Sequence, residues 1–305
     1  MRKVNVVEII NWANSKGYKF DYYGDRAIQV CGFSSLSNYN DESLTWINLK
    51  NPVEESVLSR ICCAVIQKGV KDLPKNYFLV EESKFFFFDI IECFFSSSNS
   101  CIMERGNSYI GKDVELGKNV IIGCNCVLDG DITIGDNTVI EHNVTVINRA
   151  SIGGDCIIHS GTVIGKDGFG FSFDKNGIPQ KVPHFGGIRI GNRVEIGANC
   201  VVDRGTIDDT IIGDDVKLDS LVIIAHNVVI GNGTLIVGGT TIGGSCIIGE
   251  KSYIAPHATI KNKTTVGQNT FIGMGVITTE NIGDGTFIGH PTDKPRKIKN
   301  YRRFL

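Results

Sequence analysis

Aliphatic residues return at every sixth position across much of this chain. One run of them extends from Ile110 to Ile164, a short one covers 190–202, and a third extends from Ile212 to Ile272. An α-helix repeats every 3.6 residues and a strand every two, so neither element alone keeps a six-residue step. Three hexads of short parallel strands per coil do keep it. The pattern therefore predicts a parallel β-helix of about eight coils.

The first hundred residues lack this pattern and are typical of a small α/β domain. Helical spacing predicts helices over 4–16, ended by Gly17, and over 53–68. Strands are predicted over 28–33, 44–49 and 77–80, and the phenylalanine-rich block 85–95 is predicted to be a buried strand running into a helix. We expect three parts: an α/β domain at 1–100, to which the resemblance described below assigns nucleotide binding, a β-helix at 101–289 and a basic tail at 290–305.

Two insertions interrupt the six-residue step of the β-helix. The first, 165–188, is long and rich in Gly and Phe, and the second, 203–209, reads DRGTIDD. A loop that leaves a regular solenoid is usually a binding site or a contact between subunits. Phe169 and Phe171 of the first insertion are therefore candidates to line a substrate groove, or to pack against a neighbouring subunit.

Composition and charge exclude several classes of function. The formal net charge of −2 gives no overall attraction to nucleic acid or an anionic membrane. The phenylalanine-rich block is too short and too charged to span a bilayer. The ten Cys follow no zinc-binding spacing, and the six His lack the pattern of a metal site, so we expect reduced thiols, no metal and a cytoplasmic protein.

Among the histidines, His226 has the most informative neighbours. It lies two residues beyond an aliphatic position, on an outward edge, and Gly244 follows it by 18 residues, the length of one coil. A base beside an accessible backbone N–H is the pair that acyl transfer needs, because one accepts a proton and the other stabilises an oxyanion. Asp219, on the preceding hexad, is a candidate to orient the imidazole.

The residues around His226 resemble a known family. The segments HSGTVIGKDGFGF (159–171), IGNRVEIGANCVVDRGTIDDTIIGDDVKLD (190–219) and IIAHNVVIG (223–231) closely resemble the LpxD family, whose members are left-handed β-helix N-acyltransferases acting on UDP-3-O-acylglucosamine. The resemblance covers about 105–275. It implies a homotrimer with active sites between neighbouring copies, with His226 as the catalytic base, Asp219 as its acidic partner and Gly244 as the oxyanion donor. His159 becomes a candidate substrate contact.

The resemblance extends to the first hundred residues, with departures. LTWIN (44–48) is similar to the strand that places an aromatic residue on uracil in that family, which makes Trp46 a candidate for base stacking, although a core Trp is an equal alternative. Asn48 and Lys50 are candidate contacts beside it. Pro52 stands where the family has a tyrosine, and Lys263 stands near the position of its second histidine.

The end of the chain resembles a different set of enzymes. The long C-terminal helices that contact acyl carrier protein in the LpxD family are missing, and IGHPTDKP (288–295) is similar to the ending of acetyl-CoA-type hexapeptide transferases. Lys294, Arg296 and Lys297, with Lys263, are then candidate contacts for coenzyme A phosphates. AntD-like enzymes, which acylate nucleotide-linked amino sugars, combine a similar first domain with such a tail.

The predicted activity is N-acyl transfer from acyl-CoA, as a co-substrate with no tightly bound cofactor, to a dTDP- or UDP-linked 4-amino-4,6-dideoxy sugar. The first alternative keeps His226 as the base but uses acyl carrier protein as the donor and UDP-3-O-acylglucosamine as the acceptor. The second alternative is a non-catalytic trimeric module that binds nucleotides.

Overall fold

The computed structural model describes residues 3–49, 53–95 and 107–289. The chain divides into two compact units, Met1–Cys101 and Ile102–Leu305. Lys50, Pro52, the basic tail with Lys294, Arg296 and Lys297, and the residues around the boundary between the units lie outside the described residues.

The first unit packs helices on a four-stranded sheet. The strands follow the order Phe20–Tyr23, Tyr77–Val80, Cys63–Gln67, Leu44–Ile47; the first pair is antiparallel and the others are parallel. Val4–Asn5 and Gln29–Val30 form a separate antiparallel pair. The helices are Val6–Ser15, Glu55–Leu58 and Ser83–Phe94, with a 3₁₀ turn at Leu36–Asn38.

Two of the predicted elements in this unit are wrong. The stretch 53–68 is not one helix, because only Glu55–Leu58 is helical and Cys63–Gln67 is a central parallel strand. Its run of buried apolar residues, including Val65 and Ile66, is typical of a strand that is covered on both faces. The block 85–95 has no strand, and Ser83–Phe94 is helical with Phe86 and Ile90 buried against the sheet.

The helix Val6–Ser15 confirms the predicted first helix and shows why it begins there. The Asn5 side chain accepts a hydrogen bond from Val7 N at 2.9 Å, and Glu8 accepts one from Asn5 N at 3.1 Å. These two bonds satisfy amide groups that the first helical turn leaves without partners. Gly17, with φ of +78°, follows the last turn and ends the helix.

The second unit is a left-handed parallel β-helix, which confirms the fold that the six-residue step predicts. It has three sheets, here called the first, second and third faces. The first face consists of Tyr109–Ile110, Val127–Asp129, Thr145–Ile147, Val163–Asp167, Val201–Arg204, Ile223–Ile224, Thr241–Ile242, Thr259–Ile260 and Ile277–Thr278. The second consists of Val114–Leu116, Ile132–Ile134, Ala150–Ile152, Ile188–Ile190, Thr210–Ile212, Val229–Ile230, Ile247–Ile248 and Thr265–Val266. The third consists of Ile121–Ile122, Val139–Ile140, Ile157–Ile158, Glu195–Ile196, Lys217–Leu218, Leu235–Ile236, Tyr253–Ile254, Phe271–Ile272 and Phe287–Ile288.

The aliphatic register points into the β-helix and forms its core. On the first face, Val146, Ile164, Val202 and Ile224 are fully buried and stack on one another from coil to coil. Each buried aliphatic side chain contributes on the order of 1.5–3 kcal/mol of transfer free energy. The side chains at every sixth position therefore stabilise the β-helix along its length.

Both insertions leave the solenoid at the same corner. The chain runs from the first to the second face through 168–187 in one coil, 205–209 in the next and 225–228 in the coil after that. We call this edge, continued by 243–245, the insertion corner. Strand pairing is in register on both sides of the first insertion, since Val163 pairs with Val201 and Ala150 pairs with Ile188. The insertion itself folds into a hairpin of Phe171–Phe173 and Pro179–Lys181.

Candidate active site

His226 lies at the insertion corner, half-buried, with Gly244 directly above it in the next coil. A Cβ added to Gly244 would lie 2.7 Å from Nε2 of His226 and 2.9 Å from Cε1. Ser245 N donates to His226 O at 2.9 Å, which fixes the two coils in this register. Within the described residues the Gly244 N–H donates to no acceptor. The predicted stacking of Gly244 on His226 is therefore present.

Asn227 determines which nitrogen of His226 carries the proton. Asn227 Nδ2 donates to Asp208 O at 2.9 Å, and Asn227 Oδ1 accepts from Thr206 N and Thr206 Oγ1, both at 3.0 Å. The amide orientation is thus fixed, because a backbone carbonyl can only accept and a backbone N–H can only donate. His226 Nδ1 lies 3.0 Å from Asn227 Oδ1 and must donate to it. In the neutral imidazole Nε2 is then free to accept a proton.

Asp219 does not make the predicted contact with His226 within the chain. Its two carboxylate oxygens accept from Ser220 N at 2.7 Å and from Gly238 N at 3.0 Å, at the corner between the third and first faces. A residue seven positions before His226 belongs to the preceding corner of the same coil, whereas side chains stack at intervals of a whole coil. Asn227 takes the orienting position instead.

His184 is a second histidine at this site and was not among the predicted residues. It lies in the first insertion, its side chain is fully buried, and its ring meets the His226 ring edge to face at 5.5 Å between centroids. Nδ1 lies 3.0 Å from Val182 O and donates to it, while Nε2 has no hydrogen-bond partner among the described residues. Gly168 permits this packing, because a Cβ there would lie 2.8 Å from Cδ2 of His226.

An ion pair between partly exposed Lys166 and buried Asp203 lies near the two histidines. A bulge after Ile164 pairs Lys166 with Asp203, and Lys166 Nζ lies 2.5 Å from Asp203 Oδ1. Burial raises the pKa of the Asp203 carboxyl above its usual value, and Lys166 and the two imidazoles oppose that rise. The insertion corner therefore brings together two imidazoles, a partly exposed lysine and a buried carboxyl group.

The aromatic side chains of the first insertion are exposed beside this cluster. Phe169 is 89% exposed and Phe171 is 45% exposed, with 4.9 Å between their ring centroids. Lys181 Nζ lies 5.4 Å from the Phe171 ring and donates to Gly168 O at 2.8 Å. The hairpin thus presents apolar surface next to His226, as either of the two predicted roles would require.

His159 lies at the corner with Asp219 and is not brought to His226 within the chain. Its Nδ1 is 3.0 Å from Glu141 Oε1, and its Nε2 is 3.1 Å from Glu195 Oε1. Desolvation lowers the pKa of His159, but the two carboxylates outweigh it and raise that pKa above its ordinary value. Both ring nitrogens are engaged within the chain, so the contacts present are those of an ion pair that joins successive coils.

Of the predicted coenzyme A contacts, Lys263 alone lies among the described residues. Its backbone N–H donates to Gly244 O at 2.8 Å, and its side chain is exposed one coil above Ser245. Lys263 therefore extends the insertion corner beyond Gly244. Its φ of +62° lies in the left-handed region used by the corners of this solenoid.

In the first unit, Trp46 lines an apolar cleft of about 570 Å³. Its Nε1 donates to Ser83 Oγ at 3.0 Å, and its ring stacks on Phe87 at 6.4 Å between centroids. Leu36 and Phe88 are further lining residues. Asn48 follows the Trp46 strand but is not among the residues that line the cleft. Trp46 is thus half-buried and hydrogen-bonded, with an apolar space beside it.

The described ranges carry neither a membrane-spanning helix nor a cluster of metal ligands. None of the helices in these ranges is long and apolar enough to cross a membrane. Within the same ranges, no three His, Cys, Asp or Glu side chains are placed to hold a metal ion.

The repeats match a known family model, and the chain is similar to named enzymes. Residues 131–166 and 209–244 match the bacterial transferase hexapeptide (six repeats) model. The chain is 44% identical over 82 residues to a probable UDP-3-O-acylglucosamine N-acyltransferase 2, mitochondrial, of Arabidopsis thaliana, which is 27% of each chain. It is 46% identical over 82 residues to UDP-3-O-acylglucosamine N-acyltransferase 2 of Legionella pneumophila, covering 27% of this chain and 24% of that one. The match spans about a quarter of the length of these relatives.

Solved structures have the same fold. LpxA from Bacteroides fragilis, a UDP-N-acetylglucosamine acyltransferase, aligns with a TM-score of 0.54 at 26% identity, over 60% of this chain and 69% of that one. LpxA from Acinetobacter baumannii aligns with a TM-score of 0.56 at 20% identity over the same shares. The second unit is therefore a β-helix in which 131–166 and 209–244 match the bacterial transferase hexapeptide model, and over 82 residues the chain is similar in sequence to UDP-3-O-acylglucosamine N-acyltransferases.

Proposed function

We propose that this chain is an N-acyltransferase that moves an acyl group from a thioester to the amine of a nucleotide-linked amino sugar. The observation that carries the proposal is the placement of His226. Asn227 holds its proton on Nδ1, and the free Nε2 faces Gly244, whose N–H is not used within the described chain. A general base beside an unused backbone donor supports acyl transfer.

The proposed reaction uses each of these groups once. The amine nitrogen attacks the thioester carbonyl carbon, and a C–N bond forms as the carbonyl oxygen becomes an oxyanion. The Gly244 N–H donates to that oxyanion, and His226 Nε2 accepts a proton from the attacking nitrogen. The C–S bond then breaks, and the leaving thiolate takes the proton from the imidazolium. Lys166 and Asp203 lie close by as a paired charge, so Asp203 offers a nearby negative charge to the transient imidazolium.

The acceptor that the relatives favour is UDP-3-O-acylglucosamine, the substrate in their printed names. A dTDP- or UDP-linked 4-amino-4,6-dideoxy sugar is the second candidate, supported by the similarity of 288–295 to acetyl-CoA-type transferases. The apolar cleft beside Trp46 is the proposed place for the nucleobase, since an aromatic ring with an adjacent cleft suits base stacking.

The experiment is a matrix of two donors and two acceptors with purified protein. Acyl-CoA and acyl-carrier protein are each combined with UDP-3-O-acylglucosamine and with a dTDP-4-amino-4,6-dideoxy sugar, and the N-acylated product is measured by mass spectrometry. We expect turnover in at least one combination and a fall of about 10²–10⁴-fold in His226→Ala, the range for loss of a general base. His142→Ala, an exposed histidine elsewhere on the β-helix, is the matched control.

The outcomes separate the readings. Full turnover by His226→Ala removes His226 from the mechanism. Calorimetric binding of a nucleotide sugar without turnover of either donor favours the non-catalytic nucleotide-binding module. A homotrimer in the cytoplasm stays a prediction, and sedimentation equilibrium measures the number of copies.

A further inference from the structure

A second feature of the β-helix lies beside the proposed base and has no part in the reaction above. It is a cavity of about 670 Å³, lined on the second face and the insertion corner. Arg149 and Arg189 form its charged side, and Ile211, Val229 and Ile247 form an apolar floor. Asn227 and Ser245, the direct neighbours of His226 and Gly244, close its other end. The cavity is therefore continuous with the insertion corner.

The two arginines are anchored by one buried carboxylate. Asp209 is 8% exposed, and its oxygens accept from Arg149 Nη2 at 2.5 Å, from Arg189 Nε at 2.8 Å and from Gly187 N at 2.7 Å. Burial alone would raise the pKa of Asp209, but Gly187, Arg149 and Arg189 hold it below its ordinary value. Asp209 therefore stays ionised and fixes the direction of both guanidinium groups.

The outer N–H groups of these guanidiniums are available to an anionic ligand. The side chains of Arg149 and Arg189 are 50% and 64% exposed. The two Nη groups of Arg189 make no hydrogen bond with any described residue. Exposed Asp208 at the lip and buried Asp209 together balance the formal charge of the two arginines, so the attraction for an anion comes from the free N–H donors of Arg189 and not from net charge. Arginine pairs held in this way suit the oxygens of a phosphate.

The strand register places Arg189 two rungs from the strand that follows His226, a spacing that suits a phosphate near the reacting amine. Arg189 pairs with Ile211 and Ile211 pairs with Val229, so Arg189 lies two rungs, or about 10 Å, from a residue three positions beyond His226. A hexose with its glycosidic phosphate covers such a span when its amine is at the base. The pantetheine arm of a thioester donor is much longer and would carry its phosphates past this point.

We propose that Arg149 and Arg189, anchored by Asp209, bind the diphosphate of the nucleotide-linked acceptor. This inference rests on the proposed function for the identity of the ligand. The apolar floor lies under the sugar, and the two guanidiniums orient the diphosphate so that the amine faces His226. The insertion 203–209 then has two tasks, because Thr206 and Asp208 hold Asn227 while Asp209 holds the arginines.

The test is calorimetric titration of the full chain with UDP and dTDP, and with uridine and thymidine as partners that lack phosphate. Arg189→Gln removes the charge but keeps donors for Asp209. We expect it to weaken binding of UDP or dTDP by about 10- to 100-fold, the equivalent of a lost charge-assisted hydrogen bond, with nucleoside binding unchanged. Arg149→Gln is the second variant, in case one substitution unfolds the loop. Arg193→Gln, paired with Asp215 outside the cavity, is the matched control.

Unchanged binding of both diphosphates in Arg149→Gln and Arg189→Gln overturns the proposal, as does wild-type protein that binds UDP and dTDP no better than the nucleosides. If Arg149→Gln and Arg189→Gln lose binding of coenzyme A but keep binding of UDP and dTDP, the two arginines serve the donor, and this result also overturns the proposal. The proposed function can fail separately from this inference. Phosphate-dependent binding without acyl transfer refutes the proposed function but leaves the role of the two arginines. Turnover that depends on His226 but not on the arginines refutes the role of the arginines alone.

Discussion

Substitution of Gly244 by alanine is the sharpest test of the geometry at the insertion corner. The added Cβ would lie 2.7 Å from His226 Nε2, where ordinary contacts begin at 3.4 Å, so the imidazole must move by several tenths of an ångström. Nε2 is the atom that is proposed to accept the proton, and the adjacent Gly244 N–H is the proposed oxyanion donor. Loss of either group costs about 10²-fold or more in kcat, so we expect at least that reduction in Gly244→Ala.

The same substitution has little reason to unfold the protein. Gly244 has no φ in the left-handed region, so alanine is not strained there, and a Gly→Ala change favours folding by about 0.4–1 kcal/mol through the unfolded chain. The contact with His226 opposes this with about 1–3 kcal/mol. We expect the unfolding free energy to fall by no more than about 2.6 kcal/mol.

Initial rates and urea unfolding curves measure the two effects separately. Gly283→Ala is the matched control, since a Cβ there meets nothing within 4 Å and its φ is also ordinary. Wild-type kcat in Gly244→Ala would show that His226 works without Nε2 beside Gly244, and the proposed arrangement of base and donor would be wrong. An equal loss of activity in Gly283→Ala would show that the effect comes from adding a methyl group to a coil of the β-helix and not from the contact with His226.

Three further predictions follow from single contacts. Asn227→Gly removes the acceptor that holds the His226 proton on Nδ1 and tolerates the φ of +59° at this corner, and we expect kcat to fall about 10-fold or more; an unchanged pH–rate profile would contradict the tautomer argument. His184→Phe keeps the ring packing and removes the unpartnered Nε2, but it also removes the donor to Val182 O, so we expect stability within about 1.5 kcal/mol of wild type and a shifted pH–rate profile; an identical profile would make His184 purely structural. His159→Gln should lower the melting temperature more at pH 5.5 than at pH 9, and an equal loss at both would be inconsistent with ion pairing. The expected direction follows from the two pKa shifts. The raised pKa of His159 gives its full stabilisation of the fold below the ordinary His pKa of 6.5, and this stabilisation is lost as the pH rises through the pKa in the folded protein. The lowered pKa of Glu141 gives its full stabilisation above the ordinary Glu pKa of 4.5.

The fold of the second unit was predictable because the six-residue step that specifies it recurs many times along the sequence. A six-residue step specifies a three-sided coil, and the same step specifies that Gly244 stacks on His226 one coil away. The stacking rule holds only for whole coils, which is why Asp219, seven positions before His226, was assigned a contact that the chain does not make. A spacing of seven residues places Asp219 at the corner before that of His226, so the same step, applied in full, argues against the contact.

The rest of the site could not be read from spacing. His184 reaches His226 through a hairpin whose course depends on Gly168 and on the burial of a ring, and neither has a periodic signal. Asn227 was detectable as the neighbour of His226 with the residue type that favours a left-handed corner, and its φ is +59°. In the first unit, the apolar run Cys63–Gln67 is a strand, and the pattern over 53–68 did not distinguish it from a helix because a short continuous apolar run fits both elements.

The pairing of strands across the first insertion separates two kinds of change. Cys200 N donates to Thr162 Oγ1 across 38 residues in the same way that Cys156 N donates to Thr138 Oγ1 across 18. The solenoid therefore closes its ladder whatever the length of the loop between those rungs. Mutations in the hairpin can reshape the surface that a substrate meets without moving Gly244 relative to His226. Under the proposed function, changes in the hairpin strands Phe171–Phe173 and Pro179–Lys181 alter the acceptor surface, while the Ser245 N to His226 O hydrogen bond keeps the two coils in register.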